Sequence, residues 1–135
     1  MAKKLAWAVG FVLTAVGILG FVPGVTNASG LLLGIFQVDP LHNIIHILTG
    51  VLALVAAMGS GSYVSLYFKV FGVVYALVAV LGLAVGSPIL GLISANMADH
   101  VLHLALAAVF LYAGFGMKES SSSMSMGGMS SNPSM

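Results

Sequence analysis

Four long apolar runs, separated by short polar or Gly/Pro-containing segments, make up most of the pattern of this chain. A helix that crosses a bilayer needs about 20 consecutive apolar residues. Each run has about that length, so we expect transmembrane helices at about residues 5–22, 40–58, 64–85 and 97–116. The pattern predicts an all-α fold, a four-transmembrane-helix bundle over residues 1–117. Trp7, Tyr63, Tyr67 and Tyr112 lie near the predicted helix ends and are typical of interface anchors.

The second and fourth runs begin with related polar motifs. DPLHNIIH at 39–46 aligns without a gap with NMADHVLH at 96–103, an offset of 57 residues, and the first and third runs align at an offset of 62. Asp39 and Asn96 are good N-cap residues, so His46 and His103 fall at the same helical position. We therefore predict two tandem helical-hairpin repeats. Both hairpins enter the membrane from one side, which puts their pseudo-twofold axis along the membrane normal.

The composition agrees with a membrane protein. The chain has 135 residues, 60% of them hydrophobic and only 5% charged, whereas soluble domains carry about 25% charged residues. We therefore expect its apolar helices to contact the lipid bilayer. A net charge of +1 provides no footprint for nucleic acid. The absence of cysteine excludes disulfides and thiolate metal ligands.

The charged residues predict an orientation. The lysines all fall on one side of the topology, and the two aspartates, Asp39 and Asp99, fall on the other. Under the positive-inside rule, both termini are cytoplasmic, and we expect the bacterial inner membrane. The run from Leu5 to Val22 is longer than the core of a typical signal peptide, so we expect it to remain as a spanning helix.

Residues 118–135 form a tail of Ser, Met and Gly, for which we expect a flexible polar segment. An alternative is Cu(I) binding, since thioethers are soft ligands. The methionines that would supply them are Met124, Met126, Met129 and Met135.

The repeated polar motif has a structural interpretation. Polar pairs between membrane helices stabilise their association and set their register. In this interpretation the histidines form hydrogen bonds across the pseudo-twofold axis or to the preceding loops, and Asp99 accepts from His103. Asp39, Asn43 and Asn96 belong to the same structural polar lock, the two asparagines by satisfying loop backbone.

The second interpretation is a metal site. Helix N-termini carry partial positive charge, which favours the neutral imidazole that binds metals. Zn or Cu would be bound by His42, His46 and His103, with Asp99 as fourth ligand or as an orienting group, and His100 could substitute for one histidine. A third interpretation is haem b between His46 and His103, because the small Gly50 and Ala107 follow four residues later.

These features favour a binding or structural role over catalysis. The chain offers no nucleophile–base–acid set and no phosphate-binding loop, so we predict that it is not an enzyme. We expect a small accessory or scaffold subunit of a membrane assembly, with metal binding as the alternative. Glycine-rich faces that include Gly17, Gly20 and Gly82 either pack the hairpins together or bind a membrane-protein partner or a second copy.

Two segments are similar to a bacterial membrane family catalogued as domain of unknown function 4383. They are LLGIFQVDPLHNIIH at 32–46 and ADHVLH at 98–103, and the resemblance covers residues 5–116. It implies four helices and no established activity. The second segment has His100 and Val101 where the family usually has Asn followed by an aromatic residue. The resemblance therefore does not imply a general ligand role for His100.

Overall fold

The computed structural model describes residues 1–117. Within them, α1 spans Ala2–Leu19, α2 spans Pro40–Ala57, α3 spans Val64–Val85 and α4 spans Met97–Leu111, and a π-helical turn at Tyr112–Gly116 extends α4. All four helical segments, the last taken to Gly116, are long and apolar enough to cross a membrane. The predicted all-α bundle of membrane-spanning helices is confirmed. The tail and its proposed Cu(I) ligands lie outside the described residues.

The ends of α1 differ from the expected range. The helix begins at Ala2 and ends at Leu19, instead of running to residue 22. Phe21 and Val22 then donate to the carbonyls of Ile18 and Leu19 in short turns. Pro23 contributes to this ending, because it has no N–H to donate to the carbonyl of Leu19 and disfavours helical conformation at Val22.

The segment between α1 and α2, expected only to be an apolar loop, contains a small antiparallel hairpin. Its strands are β1, Leu31–Leu32, and β2, Phe36–Gln37. The turn places Leu33 at φ 54° and Gly34 at φ 73°. At positions 57 residues later, Leu90 and Gly91 have φ of 53° and 72°. The two loops therefore make the same turn at corresponding positions, although left-handed backbone is rare for leucine.

The helices pack as two hairpins, α1 against α2 and α3 against α4. In each hairpin, two glycines in or at the end of the odd-numbered helix face larger side chains of the even-numbered helix. The pairs are Gly10 with Leu54 and Gly20 with Asn43 in the first hairpin, and Gly72 with Leu111 and Gly82 with His100 in the second. The glycine faces thus lie inside the hairpins.

The two ends of the bundle differ in chemistry. Lys3 Nζ donates to the carbonyl of Gly59, so the start of α1 and the α2–α3 turn lie at the same end. Phe68 and Phe110 are fully buried and belong to an apolar core formed by all four helices. The N-caps of α2 and α4 lie at the other end, where the buried polar residues gather. The outward faces carry large exposed hydrophobic side chains, as expected for contact with lipid.

Candidate metal centre

The start of α2 positions the first two histidines. Asp39 is the N-cap, and its Oδ1 accepts the backbone N–H of His42 at 2.7 Å, with Pro40 at the first helical position. Residues four apart share a helix face. The rings of His42 and His46 are accordingly stacked, with centroids 4.8 Å apart.

The start of α4 positions the third histidine. Asn96 and Asp99 form a capping box, in which each side chain accepts the backbone N–H of the other. His103 follows one turn after Asp99 and meets the histidines of α2. Its ring centroid is 5.6 Å from that of His42 and 5.9 Å from that of His46.

These three residues, His42, His46 and His103, form the histidine cluster. Each can offer one nitrogen such that the three lie within 4.8 Å of one another. Each residue is at most 5% exposed. Nitrogens bound to one tetrahedral zinc at 2.0–2.1 Å would be roughly 3.4 Å apart, so small side-chain rotations would close the cluster around an ion.

Each histidine of the cluster has a buried nitrogen without a hydrogen-bond partner: Nε2 of His42, and Nδ1 of His46 and of His103. Buried polar atoms in proteins normally have partners. In His42, the other nitrogen, Nδ1, lies 2.8 Å from the carbonyl oxygen of Ser94. A carbonyl only accepts, so Nδ1 carries the proton, and in the neutral ring Nε2 presents a lone pair. Metal-binding histidines are commonly oriented in this way.

Asp99 does not join the cluster. Its Oδ2 accepts the backbone N–H of Asn96 at 2.8 Å and that of Gln37 at 2.9 Å, instead of a proton from His103. The reason is its place at the third helical position, where a capping-box side chain turns back towards the N-cap. Asp99 therefore connects α4 to the loop of the first hairpin.

A matching set of bonds connects α2 to the loop of the second hairpin. Asp39 Oδ2 accepts the N–H of Ser94 at 2.7 Å. In the opposite direction, Asn96 Nδ2 at the start of α4 donates to the carbonyl of Ile35 in the loop of the first hairpin at 2.8 Å, beside the Asp99–Gln37 bond. We call these bonds, together with Asp99–Gln37 and His42–Ser94, the interloop lock. Gln37 and Ser94 are themselves 57 residues apart, so each helix start reaches the corresponding position of the opposite loop. The lock joins the hairpins beside the histidine cluster.

The remaining candidate residues pack elsewhere. His100 lies against Gly82 and is not among the histidines whose nitrogens converge, and its buried Nδ1 has no partner. Asn43 lies against Gly20, and its Oδ1 is likewise buried without a partner. Each of the two therefore contributes to the contact between the helices of its own hairpin, Asn43 in the first and His100 in the second.

From the sequence alone, Tyr75 was not identified as a neighbour of the histidines, and Tyr67 was misinterpreted. The ring of Tyr75 lies 5.5 Å from His103 and 6.4 Å from His46, and its buried hydroxyl has no hydrogen-bond partner. Tyr67 is only 5% exposed and donates to the carbonyl of Thr49 at 2.9 Å, so its interpretation as an interface anchor is wrong. The available signal was their spacing of eight residues, which places both on one stripe of α3.

The packing around His46 and His103 bears on haem. A porphyrin between axial histidines needs a slot several ångströms wide around their midpoint. The ring of His42 lies 4.8 Å and 5.6 Å from those of His46 and His103, and Tyr75 lies beside both. These rings occupy the space that the porphyrin would need.

The electrostatics of Asp39 lead to a pH prediction. Burial raises the pKa of its carboxyl, but the N–H groups of His42 and Ser94 outweigh burial, so the pKa lies below 3.8. A carboxyl whose pKa is lower in the folded than in the unfolded state stabilises the fold at any pH above its unfolded-state pKa. This contribution disappears as the pH falls through the folded-state pKa. We expect melting temperature to fall less steeply below about pH 4 in Asp39→Asn than in the wild type. If the melting temperatures of the two proteins fell in parallel between pH 6 and pH 2.5, this prediction would be contradicted.

Comparison with known proteins places the chain in a family. Neither curated proteins nor solved structures include a significant match. The family profile described as domain of unknown function DUF4383 matches residues 3–116. This range contains all four helices, the interloop lock and the histidine cluster. The chain therefore belongs to the DUF4383 family.

Proposed function

We propose that this protein binds one transition-metal ion, zinc or copper, through His42, His46 and His103. The observation that carries the proposal is that nitrogens of three buried histidines converge. Each of these histidines also has a buried nitrogen without a hydrogen-bond partner. Leaving a buried polar atom unpaired costs about 1–3 kcal/mol, so a ligand shared by the three would stabilise the fold. Imidazole is a ligand common to zinc and copper.

The surroundings of the cluster support binding in a fixed geometry. The Ser94 carbonyl orients His42, and two N-caps set the starts of the helices that carry the three rings. Ligands positioned by such outer contacts bind metal more tightly than free side chains do. The proposed role is binding without catalysis.

The proposal includes a membrane location. The described lysines lie towards the end opposite the N-caps of α2 and α4. By the positive-inside rule, we place both termini in the cytoplasm of a bacterium, with the protein in its inner membrane. The histidine cluster would then lie near the outer face.

A second candidate is an accessory or scaffold subunit of a membrane assembly. The interloop lock favours it, because these bonds fix the two hairpins relative to each other without any ligand. In that case the cluster nitrogens would be satisfied by water.

Metal analysis of the purified protein tests the proposal. After incubation with Zn(II) or Cu(I) and removal of free metal, we expect about one equivalent in the wild type and none in a His46→Ala/His103→Ala variant. The bound ion should also raise the melting temperature, since a ligand at 100 times its Kd stabilises the folded state by about 2.7 kcal/mol.

The matched control is His100→Ala, which removes the fourth histidine, also buried in α4 but outside the cluster. It should retain the metal. If the double variant is not monodisperse in detergent, the single variant His46→Gln replaces it. Equal metal content in the wild type and in the variants of His46 or His103, or no metal in the wild type, would refute the proposal and favour the scaffold role.

A further inference from the structure

The donors of the histidine cluster are neutral imidazoles in a buried site, and this indicates which ionic charge the site favours. We propose that the site selects Cu(I), a monovalent cation, over divalent ions such as Zn(II). This inference rests on the metal-binding function proposed above and specifies its ligand.

All three converging donors are neutral. The close group contains imidazoles and no carboxylate. The two nearest acids are already engaged, since Asp39 accepts N–H groups with both oxygens and Asp99 accepts two with Oδ2. An ion in this site would therefore keep its full charge within its first coordination sphere.

Burial makes that charge decisive. The Born cost of moving an ion from water into a low-dielectric interior scales with the square of the charge, so a divalent ion costs roughly four times as much as a monovalent one. The N-terminal ends of α2 and α4, which carry partial positive charge, lie at the same end of the bundle. Both effects penalise Zn(II) more than Cu(I).

The neighbouring carboxylates compensate about one positive charge. Asp99 is 3% exposed, and its Oδ2 accepts two backbone N–H groups, an arrangement that suits an ionised carboxylate one helical turn before His103. Asp39 acts on His42 but is partly exposed, so solvent screens it more strongly. A monovalent ion with three neutral imidazoles and one buried carboxylate forms a nearly neutral assembly.

The number of donors agrees with the same choice. Zinc held by three protein ligands takes a water or a substrate as its fourth ligand, whereas Cu(I) is stable with three ligands. The fourth position of a zinc site would need a water or hydroxide in this buried space.

Competition between the two ions tests the inference. Purified protein in detergent is titrated without oxygen with Cu(I), against a chromophoric Cu(I) chelator, and separately with Zn(II) against a zinc indicator. We expect an apparent Kd for Cu(I) at least about 100-fold below that for Zn(II).

A carboxylate variant separates charge selection from the general tendency of Cu(I) to bind tightly. Replacing one neutral donor by an anionic one, in His46→Asp, should move the Cu(I)/Zn(II) preference towards zinc by at least about tenfold. His103→Asp is the second variant if the first does not fold. His100→Ala, outside the cluster, should leave the preference unchanged.

The outcomes distinguish the two proposals. If one equivalent of Zn(II) binds as tightly as Cu(I), or if Cu(I) is preferred but His46→Asp does not reduce the preference, charge selection is overturned and metal binding still stands. No retention of either ion would overturn both. A preference for Cu(I) that the aspartate variants weaken would support both.

Discussion

Substitution of Gly50 by valine is expected to separate α1 from α2 and to destabilise the protein by about 3 kcal/mol, the upper range for overpacking. A Cβ at Gly50 would lie 2.5 Å from the backbone nitrogen of Thr14 and 2.9 Å from the carbonyl oxygen of Gly10. Both are backbone atoms of α1, which cannot rotate away. The helices could accommodate the side chain only by moving apart, and α2 carries His42 and His46.

Unfolding of the purified protein in detergent, followed by circular dichroism, measures this effect. The matched control is Ala15→Val, which adds comparable bulk to an exposed position of α1. Surface substitutions usually change stability by less than about 0.5 kcal/mol, so the control should unfold like the wild type. If both variants unfold at the same denaturant concentration, the close approach of Gly50 to α1 has no energetic importance.

Removal of the Asp99 carboxyl, in Asp99→Ala, is expected to cost about 2–4 kcal/mol and to loosen the connection between the hairpins. The substitution leaves the N–H groups of Gln37 and Asn96 without their acceptor. Each of these groups belongs to a different hairpin. The loss therefore affects both the start of α4 and the attachment of the first loop.

Hydrogen exchange at the amides of Gln37 and Asn96 reports this loss directly. In Asp99→Ala both amides should exchange faster, while amides in the middle of α1 should lose protection only as far as global stability falls. Asp99→Asn keeps one acceptor oxygen and should lie between wild type and Asp99→Ala. Unchanged protection at Gln37 in Asp99→Ala would show that the interloop bond does not stabilise the fold.

Much of the fold was predictable because it depends on local chemistry. Apolar runs of membrane-spanning length predicted the helices, and Asp39 and Asn96 indicated where α2 and α4 begin. A helix start and a spacing of four residues were enough to place His42 and His46 on one face. The early end of α1 was less predictable, because the effect of Pro23 on the helix begins before the proline itself is reached.

The partners of the polar side chains were not predictable in the same way. Asp99 could have accepted from His103, Asn96 or a loop, and nothing in the sequence indicated that Gln37 would approach it. The role of Tyr75 was also hidden, since it belongs to an apolar run of α3 and its neighbours come from α2 and α4. Such contacts depend on how separate helices are rotated and displaced.

The sequence by itself determined that this chain crosses a membrane with four helices and places histidines in the first turns of two of them, because hydropathy and helical periodicity act within one segment. Only the tertiary structure decided that three histidines converge, that Asp99 turns to the opposite loop and that His100 faces Gly82. The reason is that these contacts join residues about 20 to 60 positions apart, and the packing of glycine faces sets their geometry.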